Sequence, residues 1–373
     1  MARKSLRLSL VAGLSVLALA ACAPPANKSS SSSGSDAAKA TSASDVGGMS
    51  GLVKAAEKEG ALNVIALPPD WANYGNIIKA FQAKYPKIKI SSAQPNAASQ
   101  DEINAANSLK GTKRAPDVFD LGQSVALANT KLFAPYKVST FDDIPADFKD
   151  PNGTWVNDYG GYMSIGYDSK KVPAVTGLDS LMGSGFKGKV ALNGDPTQAG
   201  AAFSGVMMAA VGNGGSADNI APGVDYFGKL KKVGNFIPID PDPSTIESGQ
   251  TPVVIDWDYL NAAETAKLPS WKVVVPDNAV IAGYYYQAVN KDAPHPAAAR
   301  LWEEFLYSDQ GQNLWLGGGA RPVRADAMVK AGTIDKKAYD ALPPVNGTAV
   351  TPTVAQTEKA TSYLSQNWAK AVG

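Results

Sequence analysis

From Leu52 onward, short apolar runs alternate with segments of helical period, the pattern of successive βα units. The first unit is the clearest. Leu62-Asn63-Val64-Ile65-Ala66-Leu67 predicts a strand and Pro68-Pro69-Asp70 breaks it. Tyr74, Ile77, Ile78, Phe81 and Tyr85 then recur on one face of a helix that Pro86 ends. A strand at Ile88–Ile90, a helix through Ile103 and Leu109, and a strand over Asp117–Leu121 continue the alternation, and Gly122-Gln123-Ser124 opens another helix. Trp155–Tyr167 is aromatic and glycine-rich without helical period, so it is predicted extended, with Gly160-Gly161 as a bend. A second series follows: a strand at Lys189–Leu192, helices over 200–211 and 224–233, a short helix near Ser244–Ser248, and strands at Val253–Ile255 and Lys272–Val275. Gly283 leads into a further extended run, Tyr284–Val289, and helix dominates from Pro296. The pattern predicts two α/β lobes on mostly parallel sheets, crossed by the extended segments near 155–167 and 281–289. No solenoid repeat is visible.

Ahead of this body, the first 21 residues begin basic (Arg3, Lys4, Arg7) and continue as an uncharged apolar run. The run is too short and too close to the N-terminus for an ordinary membrane span and reads as a secretory signal. Leu19-Ala20-Ala21-Cys22 matches the bacterial lipobox, in which the cysteine thiol takes a diacylglycerol before the signal is cut, and Cys22 is the single cysteine of the chain. With one thiol there is no intramolecular disulfide, and the fold must rest on its core. Residues 22–49 are rich in Ser, Ala and Gly, which predicts a flexible tether between a lipidated Cys22 and a body beginning near Ser50. The expected location is therefore the extracytoplasmic face of the cell membrane, with the lipid as anchor. Composition supplies the core: 45% of the 373 residues are hydrophobic, enough for two lobes. Charge excludes one partner class, because 35 basic against 34 acidic residues form no excess that would draw the chain to nucleic acid.

The order of segments resembles the solute-binding lipoproteins of ABC importers, in the branch whose members bind polyamines, ferric iron, thiamine or phosphonates. LNVIALPPDWANYGNIIKAFQAKYPKIKI is similar to that family's opening strand, binding loop and helix, and APDVFDLG to its "DV" strand. Gly166-Tyr167-Asp168 with Lys171-Val172-Pro173 resembles its "YN…KVP" element, GFKGKVALNGDPTQAG its "FKGKVALPDP…SG" stretch, and Ala299–Leu306 with Ser308–Gln312 its "A..F..FLLS.EGQ" pattern. The likeness runs from about residue 60 to 320. It implies a two-lobed α/β fold of the type II periplasmic-binding-protein kind, a ligand cleft between lobes joined by hinge strands, closure around a small-molecule ligand, and delivery to a membrane permease. On that pattern lobe 1 spans 50–160 and 284–320, lobe 2 spans 161–283, and helices over 321–373 pack across both. A monomer without cofactor is expected.

Ligands of doubly wound sheets sit outside the carboxyl ends of the strands, so the loops there carry the candidate contacts. Asp70 and Trp71 follow the first strand, with Trp71 off the apolar stripe that makes Tyr74 a core residue. Gln123 stands where a helix N-terminus follows the third strand, and Thr197 and Gln198 lie in the loop that resembles the anion-holding turn of iron-binding relatives. Asp256, Trp257, Asp258 and Tyr259 place two carboxylates and two rings directly after an apolar strand. Burying those carboxylates without a partner would cost several kcal/mol. Ferric relatives carry adjacent tyrosines in the matching stretch, and here one of that pair is Asp258; polyamine binders place a tryptophan there, which Trp257 fits. A ring face beside carboxylates suits an organic ammonium. The bland alternative makes Asp258 a helix cap. Tyr285 alternates with Tyr284 and Tyr286 on the return strand, and one side of that strand faces the cleft.

Enzymatic chemistry lacks its parts. The single histidine, His295, lies between Pro294 and Pro296 at a helix start, and no HExxH, GxSxG or Walker A motif occurs. An Asp256/Asp258 pair acting as a glycoside hydrolase is the surviving enzymatic alternative. For a metal only oxygen ligands remain, which suits Fe(III) better than Zn²⁺. The reading favoured is a binding protein, not an enzyme, that takes a polyamine-like organic cation, with ferric iron, thiamine or a phosphonate as alternatives in the same role.

Overall fold

A computed structural model describes residues 37–343 and 345–373; the leader, the lipobox and Cys22 lie outside the described residues. The strands are β1 (Ala61–Ile65), β2 (Lys89–Ala93), β3 (Val118–Leu121), β4 (Phe133–Ala134), β5 (Val156–Asp168), β6 (Val190–Leu192), β7 (Val253–Trp257), β8 (Trp271–Val274), β9 (Ala282–Asn290) and β10 (Arg321–Pro322). The helices are α1 (Gly48–Glu59), α2 (Tyr74–Lys84), α3 (Ser99–Ser108), α4 (Gln123–Ala128), α5 (Gly200–Gly212), α6 (Ala221–Lys232), α7 (Pro243–Ser248), α8 (Asp258–Ala263), α9 (Pro296–Leu306), α10 (Asp309–Gly317), α11 (Ala325–Ala331), α12 (Lys336–Asp340) and α13 (Val354–Val372). Among the described residues no helix is long and apolar enough to cross a membrane.

β1 and β2 pair in parallel, and the Asp117 N–H donates to the Asn63 carbonyl (2.9 Å), which brings β3 beside them. The larger sheet runs β3-β9-β5-β7-β6, with β4 on β9 and with β8 and β10 on β5. The expectation of mostly parallel sheets fails here. Among the described strands only β1–β2 and β6–β7 are parallel, while β5 and β9 run against their neighbours. Apolar periodicity marks where a strand lies but carries no information on its direction, and these two long strands are the crossings, not members of a βα series.

β5 serves both halves of the sheet. Its first part, to Tyr162, pairs with β9, and its last part, from Met163, pairs with β7 and β8. A register shift between Asn157 and Gly160 falls at the expected bend. Gly161 faces the Asp258 carboxylate and the Tyr259 ring so closely that no side chain would fit.

Packing explains the helices. α5 is apolar on all sides and ten of its residues are buried, because it lies between the sheet and α6. Phe81 of α2 meets Trp302 and Phe305 of α9 at 5.2 and 5.5 Å between ring centroids. α13 packs on both α4 and α6, with Trp368 against Phe227 and Phe236.

The packed body begins earlier in the chain than composition predicts. Ala37, Ala40, Ala43 and Val46 are buried, the Arg300 guanidinium donates to the carbonyls of Ala38 and Ala40 (3.1 and 2.8 Å), and the Lys137 N–H donates to the Thr41 carbonyl (2.7 Å). Small residues let this segment lie flat against α9. The same small residues give it a linker-like composition, so residues 37–49 belong to the packed body.

Candidate functional site

A cavity of about 750 Å³ opens between two walls. One wall is built from the loops after β1 and β2, the first turn of α3, and Asp120 of β3; the other is built from the loop after β6, the Asp240–Pro243 turn, the end of β7, and α8. Backbone strain marks the first wall. The four non-glycine residues with positive φ among those described, Ala66, Ala72, Asn73 and Gln94, all lie in the loops after β1 and β2. Such conformations cost on the order of 1–3 kcal/mol each and collect where a backbone is held to a purpose.

The lining is acidic. Nine carboxylates border the cavity (Asp70, Asp101, Glu102, Asp120, Asp195, Asp240, Asp242, Asp256 and Glu264), against one basic residue, Lys267, among the described residues. Lys267 is itself engaged, at 3.5 Å from Glu247 and 3.9 Å from Glu264. Three of the lining acids present a buried oxygen with no hydrogen-bond partner among the described residues: Glu102 Oε1, Asp120 Oδ1 and Glu264 Oε2.

The deepest acids are held differently. Asp120 Oδ2 accepts from the Tyr159 hydroxyl (3.2 Å), and the Trp71 Nε1–H donates to that same hydroxyl oxygen (2.7 Å). Glu102 Oε2 accepts the Asp120 N–H (3.0 Å). Asp256 is better provided, with Asn193 Nδ2 on Oδ2 and the Trp257 N–H on Oδ1, both at 2.7 Å. Burial drives all three carboxyls upward. Asp256 is pushed up to about 7 against the pull of the Asn193 and Trp257 donors, and Glu102 is raised well above the carboxylate range by burial and by the Asp120 charge beside it. Asp120 is likewise raised by burial, opposed by the Tyr74 and Tyr159 hydroxyls beside it. An ammonium group arriving in the cavity would supply both the missing charge and the missing donors.

Of the residues singled out in the sequence, Asp70, Trp71, Gln198, Asp256 and Tyr285 line this cavity. The Trp71 ring stands edge-on to Tyr285 at 5.7 Å, and Tyr285 stacks on Tyr159. Alternation along β9 is resolved: Tyr284 packs on Phe148 and Tyr286 on Trp155, leaving Tyr285 to the cavity.

The other five lie elsewhere. Gln123 Nε2 donates to the Pro352 carbonyl (2.8 Å), tying α4 to the segment before α13. Thr197 closes a turn on Asp195 Oδ1, with its N–H and its hydroxyl both at 2.8 Å. Trp257 is buried against Gly283, where any side chain would strike its ring, and it stacks on the buried Tyr259. Asp258 opens α8 and is fully buried; Oδ1 accepts the N–H groups of Tyr162 and Tyr259, and Oδ2 meets Arg321 Nη1 at 2.7 Å. With its carboxylate engaged there, Asp258 does not pair with Asp256 as a glycoside hydrolase would require. His295 is likewise structural at the start of α9, its ring 2.9 Å from Asp117.

Glu102, Asp120, Asn193, Asp240, Asp242 and Glu264 also line the cavity, and none of them is picked out by the sequence pattern of the loops. A signal existed for Asp120, a charge within an otherwise apolar strand, and for the Asp-Pro-Asp-Pro turn at 240–243.

A cavity between two α/β walls, with strands that run through both, defines a solute-binding protein of the type II periplasmic kind. The chain belongs to the family of bacterial extracellular solute-binding proteins, whose model matches residues 117–346. No curated protein matches it. Among solved structures it is similar to AgtB from A. tumefaciens in complex with agropinic acid (14% identity, 84% of this chain and 98% of that one, TM-score 0.67). It is similar also to AfuA from Actinobacillus pleuropneumoniae with fructose-6-phosphate bound (17%, 84% and 98%, 0.63) and to the ferric binding protein from Campylobacter jejuni (17%, 83% and 99%, 0.62). Three such different ligands on one fold leave specificity to the cavity's own residues.

Proposed function

We propose that this chain is the lipid-anchored, substrate-binding component of an ABC importer and captures a small organic cation of polyamine type for delivery to a membrane permease. The observation that carries the reading is the charge of the cavity, nine carboxylates to one engaged lysine. Anionic solutes such as phosphonates and sugar phosphates would meet uncompensated repulsion there. The adjacent tyrosines of ferric relatives have no match in the cavity, since Asp258 is held by Arg321 and Tyr259 does not line it, and among the described residues no group of three acidic, cysteine or histidine side chains converges on one point. An extended amine can instead reach several acids in turn, with its methylene stem along Trp71 and Tyr285. Asp70, Trp71, Gln198, Asp256 and Tyr285 are its expected contacts from the sequence, joined by Glu102 and Asp120. Cys22 provides the anchor that keeps the body at the extracytoplasmic face of the membrane.

Titration calorimetry of the purified protein with spermidine, putrescine, thiamine, 2-aminoethylphosphonate and ferric citrate tests the ligand class. Tight binding of spermidine or putrescine alone is the expected outcome. Binding of the phosphonate or of iron, with none of the amines, would overturn it. Anchoring is tested separately, since Cys22→Ala should release the protein from the membrane fraction.

A further inference from the structure

We propose that Glu102 and Asp120 together hold a proton in the empty cavity and release it when an ammonium group binds, so that solute capture exchanges a proton for a cation. The inference rests on the organic-cation reading above and concerns how that site is loaded.

The geometry leaves few alternatives for the charge. Glu102 and Asp120 are joined through the Asp120 N–H, and each has one buried oxygen without a partner among the described residues. The titratable groups beside the pair are acids and phenols: Asp101 on their own wall, Tyr74 from α2, and Asp158 and Tyr159 from β5, while Lys267 of the same cavity is engaged by Glu247 and Glu264. Tyr285 of β9, Tyr259 of α8 and Glu303 of α9 complete the surroundings. Arg300 acts on Glu303 and is not among the groups that act on the pair. Asp158 Oδ2 and Glu303 Oε1 also lack partners among the described residues. Two neighbouring buried carboxylates in an acidic surrounding do not both ionise, and the pair relieves the conflict by keeping one proton. Burial raises both groups, in accord with this.

The tyrosine above the pair occupies one oxygen of Asp120. Trp71 Nε1–H occupies the Tyr159 oxygen, so the Tyr159 hydroxyl proton points to Asp120 Oδ2, while Oδ1 is buried without a partner among the described residues. The step balances simply. A protonated carboxyl and an R–NH₃⁺ become a carboxylate···ammonium pair, and the displaced proton leaves through the cavity to water.

Two readouts test it on the purified full-length protein. Without ligand, infrared difference spectra between wild type and Glu102→Gln or Asp120→Asn at pH 7 should show the carbonyl stretch of a protonated carboxyl in the wild type that both variants lose. With spermidine, calorimetry in phosphate and in Tris should give heats that differ by the buffer's ionisation, reporting proton release that is reduced in Asp120→Asn. The wild-type affinity should rise about tenfold per pH unit below the pair's pKa and level off above it.

Absence of the carboxyl band from the ligand-free wild type at pH 6 would overturn the proposal even if spermidine binds. Buffer-independent heats would overturn the exchange. A band present while no amine binds would instead defeat the organic-cation reading, and with it the exchange, leaving only a buried acid. The wild-type measurements need no variant to fold.

Discussion

Buried carboxylates in this molecule fall into two regions that solve the same problem in opposite ways. At the start of α8, Asp258 is fully buried and answered by Arg321 at 2.7 Å, and near α9, Asp117 is answered by the ring and the N–H of His295 at 2.9 and 2.7 Å. In the cavity wall, Glu102 and Asp120 are also buried and have no such counter-charge among the described residues. Burying an ionised group without a partner costs several kcal/mol, and a fold keeps such groups where something else is to supply the partner. Asp256 and Asp258 show the contrast within three residues: Asp256 faces the cavity, whereas Asp258 is turned back into the protein toward Arg321.

The sharpest way to break this comparison is to remove the counter-charge where it exists. Arg321→Ala leaves Asp258 buried and unpaired, and should cost about 3–5 kcal/mol of folding free energy in urea denaturation. A loss below about 1 kcal/mol would place Asp258 among the open acids.

Removing an open acid should act on the ligand instead. Asp256→Asn is expected to weaken spermidine binding by about 1.5–3 kcal/mol, the range for a hydrogen bond to a charged group, while the ligand-free fold at pH 8 stays at least as stable as wild type. Titration calorimetry beside a thermal melt separates the two effects.

The pH dependence follows from the same group. The folded-state value of Asp256, about 7, lies above its ordinary 3.8, so between those values the folded protein binds the extra proton. Its contribution to stability is therefore complete below pH ~4 and is lost as the pH rises through about 7, with a slope of at most about 1.4 kcal/mol per pH unit. Ligand-free melts from pH 5 to pH 8 should show a falling Tm that Asp256→Asn flattens; an unchanged slope would remove Asp256 from the account.

The smallest effect concerns the two walls. The backbones of Gly122 and Gly200 approach across the molecule until a Cβ on either would sit 2.8 Å from the other's Cα. Gly200→Ala should hold the walls apart and weaken spermidine binding by about 1 kcal/mol, the low end for overpacking. Equal affinity would show that this contact is not made in the bound form.

The sequence made the order of elements legible because each carries its own local period: the Tyr74–Phe81 stripe, the Val253–Ile255 run, and the turn at Pro86. Strand direction was not legible, nor was the packed stretch 37–49, since both depend on partners distant in the chain. The site was half legible. Trp71 and Asp256 stood out as polar or ring residues after a strand, whereas Trp257 and Asp258 carried the same local signature and were claimed by Gly283 and Arg321 from far along the chain. Glu102 carries no distinguishing mark because on a helix it resembles any solvated acid until β3 covers it.

The N-terminal segment has a mechanical consequence. Arg300 of α9 grips the carbonyls of Ala38 and Ala40, and Thr41 is fastened to Lys137. A pull on that segment is taken up first by α9, which packs on α1 and on the crossing strand β9. Tension on that segment is thus passed within one layer of packing to the strand that carries Tyr285 into the cavity wall.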